Sequence, residues 1–267
     1  TSNALFLRVI VNRVWHYHFG QGLVTTPSDF GFNGGHPSHP HLLEWLASRL
    51  KADKYRLKAL HRRIVLSSAY RQSSRLDPVA LKRDADNRLL WRFPPRRVEA
   101  EVLRDAILSV SGQLNTQRGG PGFVDVSITP NNGTTYYEPI DKEDPALNRR
   151  TVYRFSPRGG RSAVLDTFDC PDPSSAAPRR GVTTTPLQAL SLLNNAFVLR
   201  MADHAARRIE KEAGDQADAQ VRYAWQLTIQ RSPDPRETQL SLDLVKKHGL
   251  TSLCRALFNI NDFIIIE

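Results

Sequence analysis

The residues best suited to chemistry crowd into one short stretch, between Asn12 and Pro40. Four of the eight histidines lie there and a fifth, His41, follows directly, among glycines, prolines and aromatic side chains. Histidine can act as a general acid or base, and three or four such ligands can hold zinc or copper. His16 and His18 are two positions apart, and on a helix that spacing turns their imidazoles about 200° away from each other. We therefore expect no metal site in this stretch.

A polar group in the same stretch is the better candidate for binding. Asn12 and Arg13 interrupt an otherwise apolar helix, so one of them is expected to be at least partly buried. A buried arginine needs a carboxylate, and an ion pair between Arg13 and Asp29 is one interpretation. The alternative is that Arg13 and His18 hold an anionic or hydroxyl-rich ligand, with His18 and Asp29 available for acid–base chemistry. The predicted binding residues are Asn12, Arg13, His18, Asp29, His39 and Arg71, and no catalytic residue is assigned.

Other reactive groups give weaker signals. Asp166, Asp169 and Asp172 are close enough in sequence to supply a glycosidase carboxylate pair, but Asp-Pro segments mostly form turns. We expect Cys170 and Cys254 to be separate small buried side chains, although a disulfide between them stays open. The sequence has no Gly-x-Ser-x-Gly and no Cys-x-x-Cys-His. It therefore predicts no serine nucleophile elbow and no covalently attached haem within this chain.

Aromatic residues divide into two expected groups. Trp45 and Trp91 are expected in the core, as most large aromatic side chains are. Phe30 and Phe32 flank Gly31 and are the better candidates for an exposed surface that stacks on sugars or bases.

The charge is distributed unevenly along the chain. The net charge is +10, and residues 1–124 carry all of it, with 19 Lys and Arg against nine Asp and Glu. Arginine outnumbers lysine 29 to 8. Arginine suits bidentate contacts with carboxylate, sulfate or phosphate, and it also suits internal ion pairs. An anionic partner and a fold braced by arginines are both consistent with this pattern.

Helices must position most of these residues. Apolar periodicity predicts helices over 4–18, 40–52, 57–70, 78–84, 98–110, 186–212, 217–230, 235–248 and 251–258. Asp234-Pro235-Arg236-Glu237 is typical of a helix start, with a capping Asp, a proline at the first helical position and a glutamate two residues later. The longest apolar runs fall well short of the roughly 20 residues needed to cross a bilayer, so we expect no membrane insertion.

A small β-insert interrupts the helices. Alternating residues in 124–128, 134–140 and 151–155 predict strands, and Asn131-Asn132-Gly133 predicts a hairpin turn. The predicted class is mainly α with a small antiparallel β-insert (α+β), an irregular helical bundle. Its expected parts are a basic helical part over 1–122, the β-hairpin insert and a Pro-rich irregular segment over 123–186, and a C-terminal helical part over 187–267. We expect these parts to form one integrated domain.

Several blocks, in order along nearly the whole chain, resemble planctomycete-specific domain one, a domain of unknown function. The blocks include Asn12-Arg13-Val14-Trp15, Thr26-Pro27-Ser28-Asp29-Phe30-Gly31, Pro37-Ser38-His39-Pro40, Tyr70-Arg71-Gln72-Ser73, Asp86-Asn87-Arg88, Arg96-Arg97, Glu99-Ala100-Glu101, Asp169-Cys170-Pro171-Asp172-Pro173 and Thr183-Thr184-Thr185-Pro186-Leu187-Gln188. The resemblance supplies no known catalytic residue. It implies a periplasmic or extracellular location and neighbouring domains in the same polypeptide, often including a separate c-type haem module.

Three functional hypotheses follow from these observations. The leading one is a non-catalytic binding or assembly module of a larger extracytoplasmic protein. Its anionic partner would be an acidic polysaccharide or an adjacent cytochrome-like domain. The alternative is a polysaccharide-active enzyme with a site in Asn12–His41. Nucleic-acid binding is retained only because of the charge, since the sequence shows no nucleic-acid-binding motif.

Overall fold

The computed structural model describes residues 3–266 and divides into two compact units. The N-terminal unit comprises residues 3–96, and the C-terminal unit comprises residues 97–266. Each unit buries its own hydrophobic core. The predicted division into parts 1–122, 123–186 and 187–267 stays a prediction, and its outermost residues, 1, 2 and 267, lie outside the described residues.

The N-terminal unit contains four helices: α1 (Ala4–Phe19), α2 (Pro40–Ala52), α3 (Leu57–Val65) and α4 (Pro78–Arg83). The side chain of Asn3 caps the start of α1 by accepting from the Phe6 N–H at 3.1 Å. Gly20 ends α1 in the left-handed conformation, with φ of 79°. Helices α1, α2 and α3 pack on one another. The core between them contains Leu7, Val11, Val14, Trp15, Phe19, Leu43, Leu46, Leu50, Leu60 and Ile64.

The C-terminal unit contains most of the remaining helices around a larger core. After the short strand β1 (Arg96–Arg97), it comprises α5 (Ala100–Val110), α6 (Ala163–Thr167), α7 (Pro186–Asn194), α8 (Ala196–Ala213), α9 (Ala217–Ile229), α10 (Pro235–His248), α11 (Leu250–Leu257), α12 (Asn261–Ile264) and strand β4 (Ile265–Ile266). The capping box of Asp234 and Glu237 forms as predicted at the start of α10. The core contains Leu103, Ile107, Leu108, Leu165, Phe168, Val198, Ile209, Trp225, Leu253 and Phe258.

A hairpin of β2 (Val126–Asn131) and β3 (Thr134–Pro139) forms the β-insert. Its turn falls at Asn132 and Gly133, both with positive φ, as the sequence predicts. The third predicted strand, 151–155, is wrong, because Thr151–Tyr153 form a 3₁₀ turn. Between residues 3 and 266, about half of the chain is helical and strands are few, so the predicted mainly α class with a small β-insert is confirmed.

Two predicted helices end earlier than expected. The helix predicted over 57–70 ends at Val65. The helix predicted over 186–212 is broken at Asn195, whose φ of −65° and ψ of 130° are extended rather than helical. The Asn195 side chain accepts from the Phe197 N–H at 3.0 Å and so caps α8. Asparagine competes with the helical backbone in this way, and here its capping bond starts a new helix.

Two further expectations concern cysteines and membranes. Cys170 and Cys254 are both free thiols, as the separate-residue interpretation predicts, but Cys170 is half-buried rather than buried. Burial raises the pKa of the Cys254 thiol to about 12. Among the described residues, no helix is long and apolar enough to cross a membrane.

Candidate functional site: a cleft and a basic surface in the N-terminal unit

A buried asparagine anchors the loop that follows α1. Asn12 is 1% exposed, and its Oδ1 accepts from the Val24 N–H at 2.8 Å. Its Nδ2 donates to the Val24 carbonyl at 3.0 Å. The side chain thereby satisfies both backbone groups of one loop residue, as a strand partner would. The prediction that Asn12 or Arg13 is buried is confirmed for Asn12, which shapes the loop from beneath.

Glycines allow this loop to fold tightly. A Cβ on Gly22 would lie 2.7 Å from the Asn12 Oδ1, and a Cβ on Gly34 would lie 2.2 Å from the Asp29 carbonyl oxygen. Both distances are shorter than any side chain tolerates. The Thr26 hydroxyl accepts from the Gly35 N–H at 2.8 Å, and the Ser38 N–H donates to the Leu23 carbonyl at 2.8 Å. The loop is therefore a shaped surface held at several points.

A second loop, Asp84–Pro94, is equally well held. The Asp84 carboxylate accepts from the Arg88 N–H at 2.9 Å and from the Leu89 N–H at 2.7 Å. The Asn87 Nδ2 donates to the Arg92 carbonyl at 2.9 Å. Asn87 and Leu90 both have left-handed backbones, with φ of 53° and 56°. These contacts fix the direction in which the Asp86–Arg88 segment points.

The two loops line an open cleft of about 580 Å³. Its apolar lining comes from Trp15, Phe19, Leu23, Leu90 and Pro94, and its polar lining from Gln21, Thr25, His36, Ser38, Asp86, Asn87 and Arg88. Binding sites for small ligands typically have volumes of roughly 300–1,000 Å³ and combine apolar walls with a few polar groups. The lining offers hydroxyl, amide, imidazole, carboxylate and guanidinium groups, which is chemistry suited to a hydroxyl-rich ligand.

Sequence reasoning missed the second wall of this cleft. Asp86, Asn87 and Arg88 were visible only as a block of the family resemblance. They lie more than 45 residues from the first loop, so spacing could not join them to it. The Asp-Asn pair before an arginine is a turn signal, and that was the available hint.

None of the six predicted binding residues lines the cleft. Arg13 is exposed on α1, and Asp29 is exposed with its Oδ1 accepting from the Gly31 N–H at 2.8 Å. No ion pair joins Arg13 to Asp29 in the part of the chain that the structure describes, so that interpretation is wrong. The His39 Nδ1 lies 2.9 Å from the Ser38 hydroxyl at the start of α2. Arg71 is exposed beyond α3.

His18 is held in a separate aromatic cluster. Its Nε2 lies 2.7 Å from the Nδ1 of His61 on α3, and the Tyr70 ring packs edge-on with ring centres 5.5 Å apart. Burial lowers the pKa of His18 below its ordinary value of 6.5, and the nearby His61 and Arg96 lower it further. Because His18 contacts His61 and Asp29 bonds its own loop, the structure shows no His18–Asp29 contact among the described residues.

The second candidate surface is formed by exposed residues of α2, α3 and the turn between them. We call it the α2–α3 surface and define it by Trp45, Arg49, Lys54, Lys58 and Arg62. All five side chains are exposed. The prediction that Trp45 lies in the core is wrong, because α2 buries Leu43, Leu46, Ala47 and Leu50 and turns Trp45 outward. The Arg49 guanidinium lies 5.4 Å from the centre of the Trp45 ring.

The remaining aromatic predictions have mixed outcomes. Phe32 is fully exposed, as predicted. Phe30 is half-buried and packs against the N-terminal core, and Trp91 is half-buried rather than a core residue.

The net positive charge of the chain lies in the N-terminal unit. Residues 1–96 contain 16 Lys and Arg against six Asp and Glu, whereas residues 97–267 contain 21 of each. Ion pairs in the described part of the N-terminal unit join Arg8 to Glu44 at 2.6 Å and Arg63 to Asp53 at 2.9 Å. Arg49, Lys54, Lys58 and Arg62 have no carboxylate partner among the described residues. These side chains are therefore available to an external anion.

The C-terminal unit uses many of its charged residues in internal ion pairs. Arg97 pairs with Asp169 at 2.5 Å, and the Asp169 carboxylate also accepts from the Thr183 N–H at 2.8 Å. Burial acts to raise the pKa of Asp169, but the bonds from Thr183 and Arg97 outweigh it and hold the pKa below 3.8. Asp172 accepts from the Ser174 N–H at 2.8 Å in a turn. Asp169 and Asp172 thus have structural partners.

Like Asp169, Glu101 accepts hydrogen bonds from an arginine in the C-terminal unit. It accepts two bonds from Arg180, at 2.6 and 2.7 Å, and the Cys170 thiol lies 3.6 Å from its Oε1. Burial acts to raise the pKa of Glu101, but Arg180 holds it below 4.5. Burial and the Glu101 charge raise the pKa of the Cys170 thiol to about 11, so this thiol is a poor nucleophile.

Between residues 3 and 266, no three His, Cys, Asp or Glu side chains are grouped closely enough to hold a metal ion. A family model described as PSD1, a protein of unknown function (DUF1553), matches residues 1–245. No curated protein and no solved structure matches the chain.

Proposed function

The chain belongs to the PSD1 family, planctomycete-specific domain one, and we propose that it is a non-catalytic binding module for an acidic polysaccharide. One observation carries this proposal: the whole net charge of +10 lies in residues 1–96, and exposed cations there lack carboxylate partners. Unpaired arginines and lysines attract polyanions over long distances, and arginine pairs well with carboxylate and sulfate groups.

The cleft and the exposed aromatic rings favour a polysaccharide over other polyanions. The cleft presents the Gln21 amide, the Ser38 hydroxyl and the His36 imidazole beside an apolar lining. Trp45 and Phe32 offer exposed rings on which sugar rings can stack. An acidic sugar chain is the ligand that uses both kinds of feature, because it has hydroxyls for the cleft and charges for the α2–α3 surface.

This proposal places the protein where acidic polysaccharides occur, in the periplasm or outside the cell. Neighbouring domains of the same polypeptide would hold the module near its target. The function needs no cofactor within this chain. An acidic face of a cytochrome-like neighbour would use the same exposed cations, so the test must separate the two partners.

The direct test is isothermal titration calorimetry with defined polymers at 50 and 200 mM NaCl. Polygalacturonate and dextran sulfate should bind, and more weakly at the higher salt concentration, whereas neutral dextran should not bind. Duplex DNA should bind less tightly than either polysaccharide at equal charge concentration. Tighter binding of DNA would favour the nucleic-acid hypothesis. No binding to any polymer, with retention of a haem-domain partner in a pull-down, would favour assembly instead.

A matched pair of variants tests the cleft. Arg88 lines the cleft, whereas Arg83, also exposed, does not. We expect Arg88→Ala to weaken polygalacturonate binding about fivefold, since a charged hydrogen bond contributes on the order of 1 kcal/mol or more. Arg83→Ala should change the affinity by less than twofold. Equal effects of the two substitutions would show that the cleft contributes charge only.

A further inference from the structure

Asp86 differs from the other acidic residues of the N-terminal unit. Residues 1–96 contain six Asp and Glu, all within the described part of the chain. Five of their side chains have partners: Glu44 and Asp53 form ion pairs with arginines, and Asp29, Asp77 and Asp84 accept from backbone N–H groups. The sixth, Asp86, lines the cleft, and its carboxylate has no hydrogen-bond or ion-pair partner among the described residues.

The backbone on either side of Asp86 is held in place. The Asp84 carboxylate accepts from the Arg88 N–H at 2.9 Å, and the Asp84 carbonyl accepts from the Asn87 N–H at 3.1 Å and from the Trp91 indole at 2.8 Å. A group on a fixed backbone loses less conformational freedom when it binds a ligand. The loop therefore presents an exposed, unpaired carboxylate to the cleft in a set direction.

Arg88 places the opposite charge at the same cleft. Its side chain is exposed and has no carboxylate partner among the described residues, so Asp86 and Arg88 do not form an ion pair with each other. Residues two positions apart have Cα atoms at most about 7 Å apart. Two unpaired charges of opposite sign this close together can meet neighbouring groups of one ligand.

Sugar hydroxyls alone do not account for a carboxylate at this position. The cleft already offers neutral acceptors for hydroxyls in the Gln21 amide and the Thr25 hydroxyl. In a unit that attracts polyanions, an unpaired negative charge in the cleft repels the same ligand and weakens its binding. A cationic group on the ligand turns that repulsion into attraction, because charge-assisted hydrogen bonds are among the stronger polar contacts.

We infer that the cleft binds a zwitterionic pair of neighbouring sugars. One is an amino sugar whose ammonium group donates to Asp86, and the other is a uronic acid whose carboxylate accepts from Arg88. This inference rests on the proposed function and specifies its substrate class, an acidic polysaccharide that carries free amino groups between its carboxylates.

The matched probes are a heparosan oligosaccharide, which alternates glucuronate with N-acetylglucosamine, and the same oligosaccharide after N-deacetylation. They differ only in whether the amine is free, and at pH 6.5 a free amine is protonated. In NMR titrations at 200 mM NaCl, where salt screens long-range attraction, the protein should bind the N-deacetylated form at least threefold more tightly. Equal affinities, or tighter binding of the N-acetylated form, would overturn the inference.

Two substitutions that each remove one negative charge assign the effect to Asp86. Asp77 is the exposed N-cap of α4 and does not line the cleft, and asparagine caps helices as well as aspartate does. Asp86→Asn should weaken binding of the N-deacetylated form at least fivefold and leave the affinity for the N-acetylated form within twofold. Asp77→Asn should leave both affinities within twofold. If Asp86→Asn weakens both forms equally, Asp86 binds sugar hydroxyls and the inference is wrong.

Polygalacturonate separates a failure of this inference from a failure of the proposed function. If polygalacturonate binds but the free amine adds no affinity, binding of acidic polysaccharide stands and only the amino-sugar assignment is overturned. If neither polygalacturonate nor either oligosaccharide binds, the proposed function and this inference are both wrong.

Discussion

The two units of this protein use arginine in opposite ways. In the C-terminal unit, positive and negative residues are equal in number, and arginines such as Arg97, Arg154 and Arg180 pair with carboxylates that hold irregular segments in place. In the N-terminal unit, cations outnumber anions by ten, and its loop is held by neutral bonds from Asn12. The comparison teaches that arginine content alone does not identify a binding surface. A surplus of cations over carboxylates within one unit is the more informative feature.

The largest expected effect comes from removing the Asn12 amide that holds the loop after α1. Asn12→Leu keeps the side-chain volume but leaves the Val24 N–H and C=O buried without partners. We expect the N-terminal unit to lose about 3 kcal/mol of unfolding free energy, since each orphaned buried group costs about 1–3 kcal/mol. Trp15, Trp45 and Trp91 report this unit in urea denaturation followed by fluorescence.

The control for that experiment is Asn33→Leu, in an exposed position of the same loop. It should change stability by less than about 0.5 kcal/mol, as most surface substitutions do. Equal losses in the two variants would mean that the loop is not held by Asn12.

A smaller effect is expected in the C-terminal unit, at the break between α7 and α8. Asn195→Ala removes the capping bond to the Phe197 N–H and should cost about 1 kcal/mol. Asn194→Ala, one residue earlier and exposed, should cost less than half as much. Urea denaturation monitored by Trp225 provides the measurement. A larger loss for Asn194→Ala would contradict the assignment of the cap.

The smallest expected effects are changes of stability with pH, and the two units should lose stability over different pH ranges. The pKa of folded His18 lies below 6.5, so the unfolded chain binds more protons and the N-terminal unit loses stability as pH falls from 6.5 through the lowered pKa. In the C-terminal unit, the pKa of Glu101 lies below 4.5, so its contribution is lost only as pH falls below 4.5.

Urea midpoints at pH 7.5, 5.5 and 4.0, followed by NMR peaks assigned to each unit, test this ordering. The N-terminal midpoint should fall between pH 7.5 and 5.5, and His18→Gln should reduce that fall. The ordering is wrong if the C-terminal unit responds first, or if His18→Gln leaves the N-terminal pH profile unchanged.

Local patterns predicted much of this fold because they depend on neighbouring residues. Gly20, Gly249 and the Asp234–Glu237 capping box mark helix ends by their own conformational preferences, and the structure has helix ends at each. The break at Asn195 was missed because apolar residues continue with helical spacing on both sides of it. The exposure of Trp45 was missed although its helical phase differs from that of Leu43, Leu46 and Leu50.

The candidate site was only partly predictable because it depends on distant contacts. The sequence placed candidate binding residues between Asn12 and Pro40, but Asn12 proved to hold the loop in place from beneath. His18 meets His61 across 43 residues, and Asp86–Arg88 meets the loop from still farther along the chain. No periodicity reports such pairings. The net charge was visible in the sequence. Only the structure shows that exposed arginines and lysines of the N-terminal unit lack carboxylate partners.

The most direct test of the central claim compares two charge reversals of equal size. One variant carries Arg49→Glu, Lys58→Glu and Arg62→Glu on the α2–α3 surface, and the other carries Arg118→Glu, Arg158→Glu and Arg236→Glu at exposed positions of the C-terminal unit. In calorimetric titration with polygalacturonate at 50 mM NaCl, the first should lose at least tenfold in affinity and the second less than threefold. Equal losses would contradict the account, because they would show that only total charge matters.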